Sequence, residues 1–319
     1  MNRQPPCPIY VFRGHEGSIT ALLIVKNIAG SISEEPSLIS GSDKGEIFIW
    51  DFKTKRTYHR LKSHCDKMIV SLSYFNSSIL SQGRDEMINE WNYDSNQWMV
   101  KRQITSPNTG FCASLLFPLN NEAYISHFNQ NKINIQSFVT ENIDYTFKLP
   151  SSAGMCMGLK VFQQEERVYL LAGYENGSVG LWDFETSMEK SNLKLHNEPV
   201  MCLDYDSKFK HRGISGSVDK ELQIWEVTKN LQIVKVQEIQ ITNPGINAVR
   251  IRKDGKIVIT AGWDCNIRLF SWKSLKPLVV LQFHSQPVQC LTMVESDDKN
   301  QSIFISGSKD KNIVFWSVY

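Results

Sequence analysis

Residues 39–52 read ISGSDKGEIFIWDF, residues 214–227 read ISGSVDKELQIWEV, and residues 305–318 read ISGSKDKNIVFWSV. In each copy an apolar run enters a polar turn and returns as an alternating run. Period-2 alternation on both sides of a turn is the mark of a β-hairpin. Weaker copies fill the intervals: LSQGRDEMINEWNY (80–93), LAGYENGSVGLWDF (171–184), TAGWDCNIRLFSW (260–272) and a degenerate ISHFNQNKINIQSF (125–138). Aligned on one reference position, they place Trp50, Trp91, Gln136, Trp182, Trp225, Phe270 and Trp316 at intervals of 41, 45, 46, 43, 45 and 46.

A β-rich unit recurring every ~40–45 residues is the signature of a WD-repeat β-propeller with four strands per blade. The expected fold is therefore all-β: a single seven-bladed propeller spanning residues 1–319. The last hairpin ends at Tyr319, one strand short of a complete blade. The stretch IYVFRGHEGSIT near the start has the form of an outer strand leading into a His loop, as PLVVLQFHSQPV does later. Residues 9–12 are thus expected to complete the last blade, closing the ring and removing two open sheet edges.

The bulk properties fit a folded scaffold. The 319 residues are 41% hydrophobic and 21% charged, with a formal charge of +2, so neither strong nucleic-acid affinity nor membrane affinity is expected. No apolar run approaches the ~20 residues of a membrane span, and MNRQPPCPIYVF lacks the apolar core of a signal peptide. Seven cysteines without a CxxC argue against a disulfide framework or a zinc site. Cys112, Cys156, Cys202 and Cys290 sit in apolar stretches and read as small buried hydrophobes. The basic runs KTKR (53–56) and KFKHR (208–212) read as solvated turns, and SEEP (33–36) and ESDD (295–298) as loop insertions within blades.

A histidine precedes most hairpins, a Ser or Thr lies ten residues before the reference aromatic, and an Asp six before it. His, Ser, Asp and Trp can then meet as one hydrogen-bonded set. The sets are complete in three units: His64, Ser81, Asp85 and Trp91; His196, Ser215, Asp219 and Trp225; His284, Ser306, Asp310 and Trp316. The same residue types serve as a hydrolytic triad elsewhere. A catalytic trio is needed once, whereas this one recurs at the blade period, so it reads as a structural tie. The first unit has His15 but Lys44 at the Asp position, with Asp43 one residue early. The fourth has Ala172 and Asn176, the sixth Thr242 in place of His, and the third only Ser126. No P-loop, GxGxxG, HExxH or GxSxG occurs. We expect no catalytic residue, no cofactor and no metal.

One position per unit lies just before the turn Asp, at a hairpin tip directed to one end of the fold: Asp43, Arg84, Asn129, Glu175, Val218, Trp263 and Lys309. Trp263 stands out, because a tip has no core to fill and Trp and Arg dominate binding hot spots. The alternative is that it packs against a neighbouring loop. The candidate partner-binding residues are therefore Asp43, Arg84, Glu175, Trp263 and Lys309, with Trp263 the anchor. The loops around 26–37 and 295–302 come next.

A closer resemblance is carried by residues 243–319. The motifs are Asn243-Pro244-Gly245-Ile246, Ala261-Gly262-Trp263-Asp264, Ile267-Arg268, Phe283-His284-Ser285, Val288-Gln289-Cys290 and Gly307-Ser308-Lys309-Asp310. They resemble the guanine nucleotide-binding protein beta-subunit-like protein 1 family, whose fungal member is ASTRA-associated protein 1. The resemblance implies a non-enzymatic scaffold for protein–protein interactions. Its implied partners are the Tel2–Tti co-chaperone, which supports phosphatidylinositol-3-kinase-related kinases, and ASTRA components with the reptin and pontin ATPases. It also implies a chromatin-regulator role and a nuclear or nucleo-cytoplasmic location. The propeller itself is expected to be monomeric and to contact no nucleic acid or membrane directly. Nothing in the sequence could bind a guanine nucleotide. A rival reading is a substrate receptor of a cullin-type ubiquitin ligase or another peptide-binding propeller. Such receptors often carry Arg two residues after Trp-Asp, which WDFK and WDFE lack.

Overall fold

The second and third strands of each hairpin copy carry apolar residues on both faces. In the structure Ser37–Ser42 and Ser178–Asp183 are buried along their whole length. Strands covered on both faces read as near-continuous apolar runs. The fourth strands alternate weakly and are more exposed, as in Met188–Lys194 and Ile233–Gln240. The structure is a computed structural model that describes residues 6–107, 110–119, 122–129, 131–294 and 302–318.

Seven four-stranded antiparallel sheets follow one another along the chain, the first six each a meander in sequence order. They span residues 19–62, 69–105, 116–148, 156–194, 200–240, 246–282 and 288–318, and are numbered here as blades one to seven. The fold is a seven-bladed β-propeller. The seventh sheet takes its fourth strand from the start of the chain. Tyr10–Phe12 pairs with Ile313–Val318 through Tyr10↔Phe315, Val11↔Val314 and Phe12↔Ile313, with Ile9 N–H donating to Phe315 O at 2.8 Å. Even the degenerate third unit builds four strands: Leu116–Leu119, Glu122–Asn129, Lys132–Ser137 and Ile143–Lys148.

The chain divides into two compact units. One comprises residues up to Thr105, Ala261–Arg268, and Val279 onward. Its core includes Phe12, Ile19, Ile39, Trp50, Ile305 and Ile313. The other comprises Ser106–Thr260 and Leu269–Leu278, and its cores gather around Phe147 with Trp182, around Tyr205 with Trp225, and around Phe270 with Trp272.

The runs KTKR and KFKHR lie at turns, and SEEP lies in the loop between the first two strands of blade one. ESDD and most of the 295–302 loop fall outside the described residues. Cys112, Cys156 and Cys202 are buried, and burial pushes the Cys202 thiol up to about 12. Cys290 departs from expectation: it is only half-buried, with its Sγ near the carbonyls of Ile19 and Gly307.

Candidate functional site

In blades two, five and seven the loop before the first strand carries the histidine, the second strand carries the hydroxyl, and the turn after it carries the acid. In blade seven, His284 Nδ1 lies 2.9 Å from Asp310 Oδ2 and Nε2 lies 2.8 Å from Ser306 Oγ. Trp316 Nε1–H donates to the same Oγ at 2.9 Å. Blade two repeats this with His64–Asp85 at 2.8 Å, His64–Ser81 at 2.8 Å and Trp91 donating to Ser81 at 2.8 Å. Blade five brings together His196, Asp219 and Ser215 at 3.0 and 2.9 Å.

Trp225 does not join that set. Its indole nitrogen is buried without a hydrogen-bond partner. The cause is its cross-strand neighbour. Trp50, Trp91 and Trp316 lie opposite Leu38, Ile79 and Phe304, whereas Trp225 lies opposite Gly213. With no side chain there, the indole settles onto the backbone, so close that a Cβ on Gly213 would stand 2.3 Å from it. It stacks on Tyr205, ring centroids 5.7 Å apart and planes 13° apart, and its N–H misses Ser215.

Blade one holds a set that the spacing did not show. Glu46 takes the acid's place, with Oε2 3.2 Å from His15 Nδ1, while His15 Nε2 lies 2.7 Å from Ser40 Oγ and Trp50 N–H donates to Ser40 at 2.8 Å. Glu46 also accepts from Ser42 Oγ and from the N–H groups of Glu16 and Gly17. Asp43, out of register, accepts instead from Ser18 N–H at 2.9 Å.

The remaining blades substitute other chemistry. Where blade four has Ala172, the Tyr174 hydroxyl reaches in from two residues on and accepts from Trp182 Nε1–H at 2.7 Å. Asn176 accepts from Ser178 N–H and its Nδ2 donates to Ser152 O. In blade six Asp264 is held by a guanidinium on its own hairpin. Arg268 Nη1 donates to Oδ1 at 3.1 Å and Nη2 to Oδ2 at 2.5 Å. In blade three Ser126 Oγ accepts from Leu115 N–H, and Gln136 Nε2 donates to Glu141 O.

These sets are sealed. Ser40, Ser81, Ser215 and Ser306 have no exposed surface, and the oxygens of Ser40, Ser81 and Ser306 already accept a Trp N–H. Burial holds the His15 and His196 imidazoles below their ordinary range, against the pull of Glu46 and Asp219. Asp310 is held down to about 2: burial alone would raise it, but His284 and the N–H groups of Asn312 and Ser285 outweigh that.

The tips are what the sets position. In four blades the tip residue donates its backbone N–H to the loop that precedes its blade's first strand. The bonds are Asp43 to Ser18 O at 2.9 Å, Arg84 to Met68 O at 2.9 Å, Glu175 to Met155 O at 2.8 Å and Lys309 to Pro287 O at 2.9 Å. Each of these four tips is thus fixed by a backbone bond beside a clamped side chain. Trp263 precedes Asp264 and is 38% exposed; Arg268 and Asn266 bonds to Asp264 hold its turn. Lys309 and Glu175 are exposed, Asp43, Arg84 and Val218 half-buried. Asn129's side chain is outside the described set.

Comparison with known proteins fits this geometry. Residues 6–51, 188–226, 235–271 and 275–317, about half of the chain, match the family WD domain, G-beta repeat. Over 99% of its length the chain is 35% identical to the mouse Guanine nucleotide-binding protein subunit beta-like protein 1, covering 97% of that protein. It is 22% identical to ASTRA-associated protein 1 of Schizosaccharomyces japonicus over 98% of the chain and 99% of the relative. The corresponding protein of Schizosaccharomyces pombe is 24% identical at the same coverage.

Proposed function

The chain belongs to the WD-repeat family of Guanine nucleotide-binding protein subunit beta-like protein 1, and from that premise we propose that it is a non-enzymatic scaffold whose hairpin tips dock a protein partner. The observation that carries this reading is the pairing of a sealed interior set with a fixed, exposed tip. The only His–Ser–acid groupings among the described residues have their hydroxyls buried, while Trp263 stands 38% exposed on a turn locked by the Asp264–Arg268 ion pair. A rigid aromatic loses little conformational freedom on binding and makes an effective anchor. Trp263, with Arg84 and Lys309, is the proposed anchor.

The relatives named ASTRA-associated protein 1 support a place in a multiprotein assembly. We take its finer identity from the family resemblance: the ASTRA complex and the Tel2–Tti co-chaperone pathway, with the reptin and pontin ATPases, a chromatin-linked role and a nuclear location. The test is affinity purification of the tagged chain with mass spectrometry, run beside Trp263→Ala at unchanged melting temperature. The expected result is co-purification of co-chaperone and ASTRA-type subunits, weakened roughly thirtyfold in the variant, as for loss of an anchor worth ~2 kcal/mol. Partners held equally by both chains would move the site away from Trp263, and no partners at all would remove the scaffold reading.

A further inference from the structure

At the opposite ends of the strands from the hairpin tips, the turns of blades three to five enclose two adjoining clefts. The smaller holds about 260 Å³ and is floored by Leu119, Tyr145, Val168 and Phe184, with the carboxylates of Glu166 and Glu185 at its rim. The two floor rings are 4.6 Å apart at 60°, and Phe184 is fixed by its N–H donating to Val168 O. This volume lies below the ~300–1,000 Å³ of small-molecule sites and suits one long side chain. Glu166 and Glu185 are exposed, and neither has an ion-pair partner among the described residues.

The larger cleft holds about 1090 Å³, shares Gln163 and Glu166 with the first, and continues past Arg167, His211 and Lys229. Gln164 lines it, and the Gln164 Oε1 atom is buried with no hydrogen-bond donor. A buried acceptor left unmet costs about 1–3 kcal/mol, and a peptide N–H laid along the cleft would meet it.

We propose that this double cleft docks an extended segment of a partner protein, with an arginine or lysine side chain of that segment seated in the smaller cleft. Charge complementarity selects the occupant. A basic side chain lays its methylene stem on apolar and aromatic surface and brings its head to carboxylates. An acidic or phosphorylated residue would meet Glu166 and Glu185 instead, and an apolar one would leave both carboxylates partly desolvated without a partner. The rest of the segment lies in the larger cleft, where Gln164 Oε1 accepts from its backbone. The proposal rests on the scaffold reading but uses surface far in sequence from Trp263.

The test selects a random nonapeptide library displayed on phage against the full chain. Selected peptides should share one basic position. Synthetic copies should bind the Glu166→Gln/Glu185→Gln variant at least about tenfold more weakly, with binding also falling as salt rises. Glu198→Gln, exposed in the loop before blade five and outside both clefts, should bind as the parent does, and equal melting temperatures should accompany all three chains. Peptides without a basic position, no selected peptides, or equal binding by parent and double variant would overturn the proposal. So would dimerisation of the chain that the double variant abolishes, which would assign the clefts to a second copy. These failures leave partner co-purification through Trp263 standing, whereas a chain that retains no partner at all would fail on the broader reading first.

Discussion

His15 Nδ1 and Glu46 Oε2 lie 3.2 Å apart across blade one, which ties a loop to a strand thirty-one residues further on. Glu46→Ala should leave the His15 nitrogen and the N–H groups of Glu16 and Gly17 without their acceptor, at a cost of about 1–3 kcal/mol. Asp43→Ala removes only the acceptor of Ser18 N–H and should cost about 0.5–1.5 kcal/mol. Urea titrations of both variants decide the order. An equal or reversed ranking would show that Glu46 is not the tie.

Trp316→Phe and Trp225→Phe should differ although they delete the same atoms. The first removes a donor from Ser306 Oγ. The second removes a buried N–H that has no acceptor. The Trp316 variant should lose about 1 kcal/mol more. Matching losses in denaturant would mean that the Trp225 nitrogen finds a partner in solution.

Stability should fall in two steps as the solution is acidified. His15 and His196 have folded values below 6.5, so the unfolded chain takes up protons first. Stability is therefore lost as pH falls from about 6.5 through their depressed folded values. Asp310 drops from an ordinary 3.8 to about 2, so its contribution is present above 3.8 and lost as pH falls toward 2. That shift corresponds to on the order of 2 kcal/mol. Denaturation midpoints measured from pH 7.5 to pH 5 should decline, and His196→Gln should flatten the decline. A midpoint that rises over this range would contradict the burial of neutral imidazoles.

Phe12 is 1% exposed and meets Trp50 edge-on at 5.4 Å. Phe12→Ala should cost about 3–5 kcal/mol, as for other buried aromatics. Deleting residues 1–12 should lower the melting temperature further, because the seventh sheet also loses its fourth strand. Melts of the three chains side by side test this, and equal midpoints for full-length and truncated chains would show that the strand contributes nothing.

The blades were legible in the sequence because one polar–apolar pattern recurs with little drift. The hydrogen-bonded sets were legible only where residue type and spacing coincide. Glu46 escaped because a longer acid two residues beyond the Asp position reaches the same nitrogen. Tyr174 escaped for the same reason: a phenol two residues past Ala172 spans what a serine hydroxyl would have filled from the serine position. Arg268 replaces a histidine from another element altogether, so no fixed offset points to it. Trp225 was misassigned to its set, although Gly213, where other copies place Leu, Ile or Phe, carried the signal. The clefts of blades three to five were invisible, since they join turns that are distant in sequence and share no motif.

The pairing of Tyr10–Phe12 with Ile313–Val318 also sets a timetable. Each bonded pair joins residues about 300 positions apart, so Tyr10–Phe12 leave the ribosome well before their partners. The intervening blades can close their own hairpins through local contacts as they emerge, but Tyr10–Phe12 have no sheet to join until Ile313–Val318 have been made. Closing so long a loop carries an entropic penalty that rises only slowly with length, yet the wait is long, and an unpaired strand with Tyr10 and Phe12 on it is a sticky edge meanwhile. Closure of the seventh sheet is then the docking of a latch, and whatever shields that latch until Ile313–Val318 emerge protects the chain from mispairing.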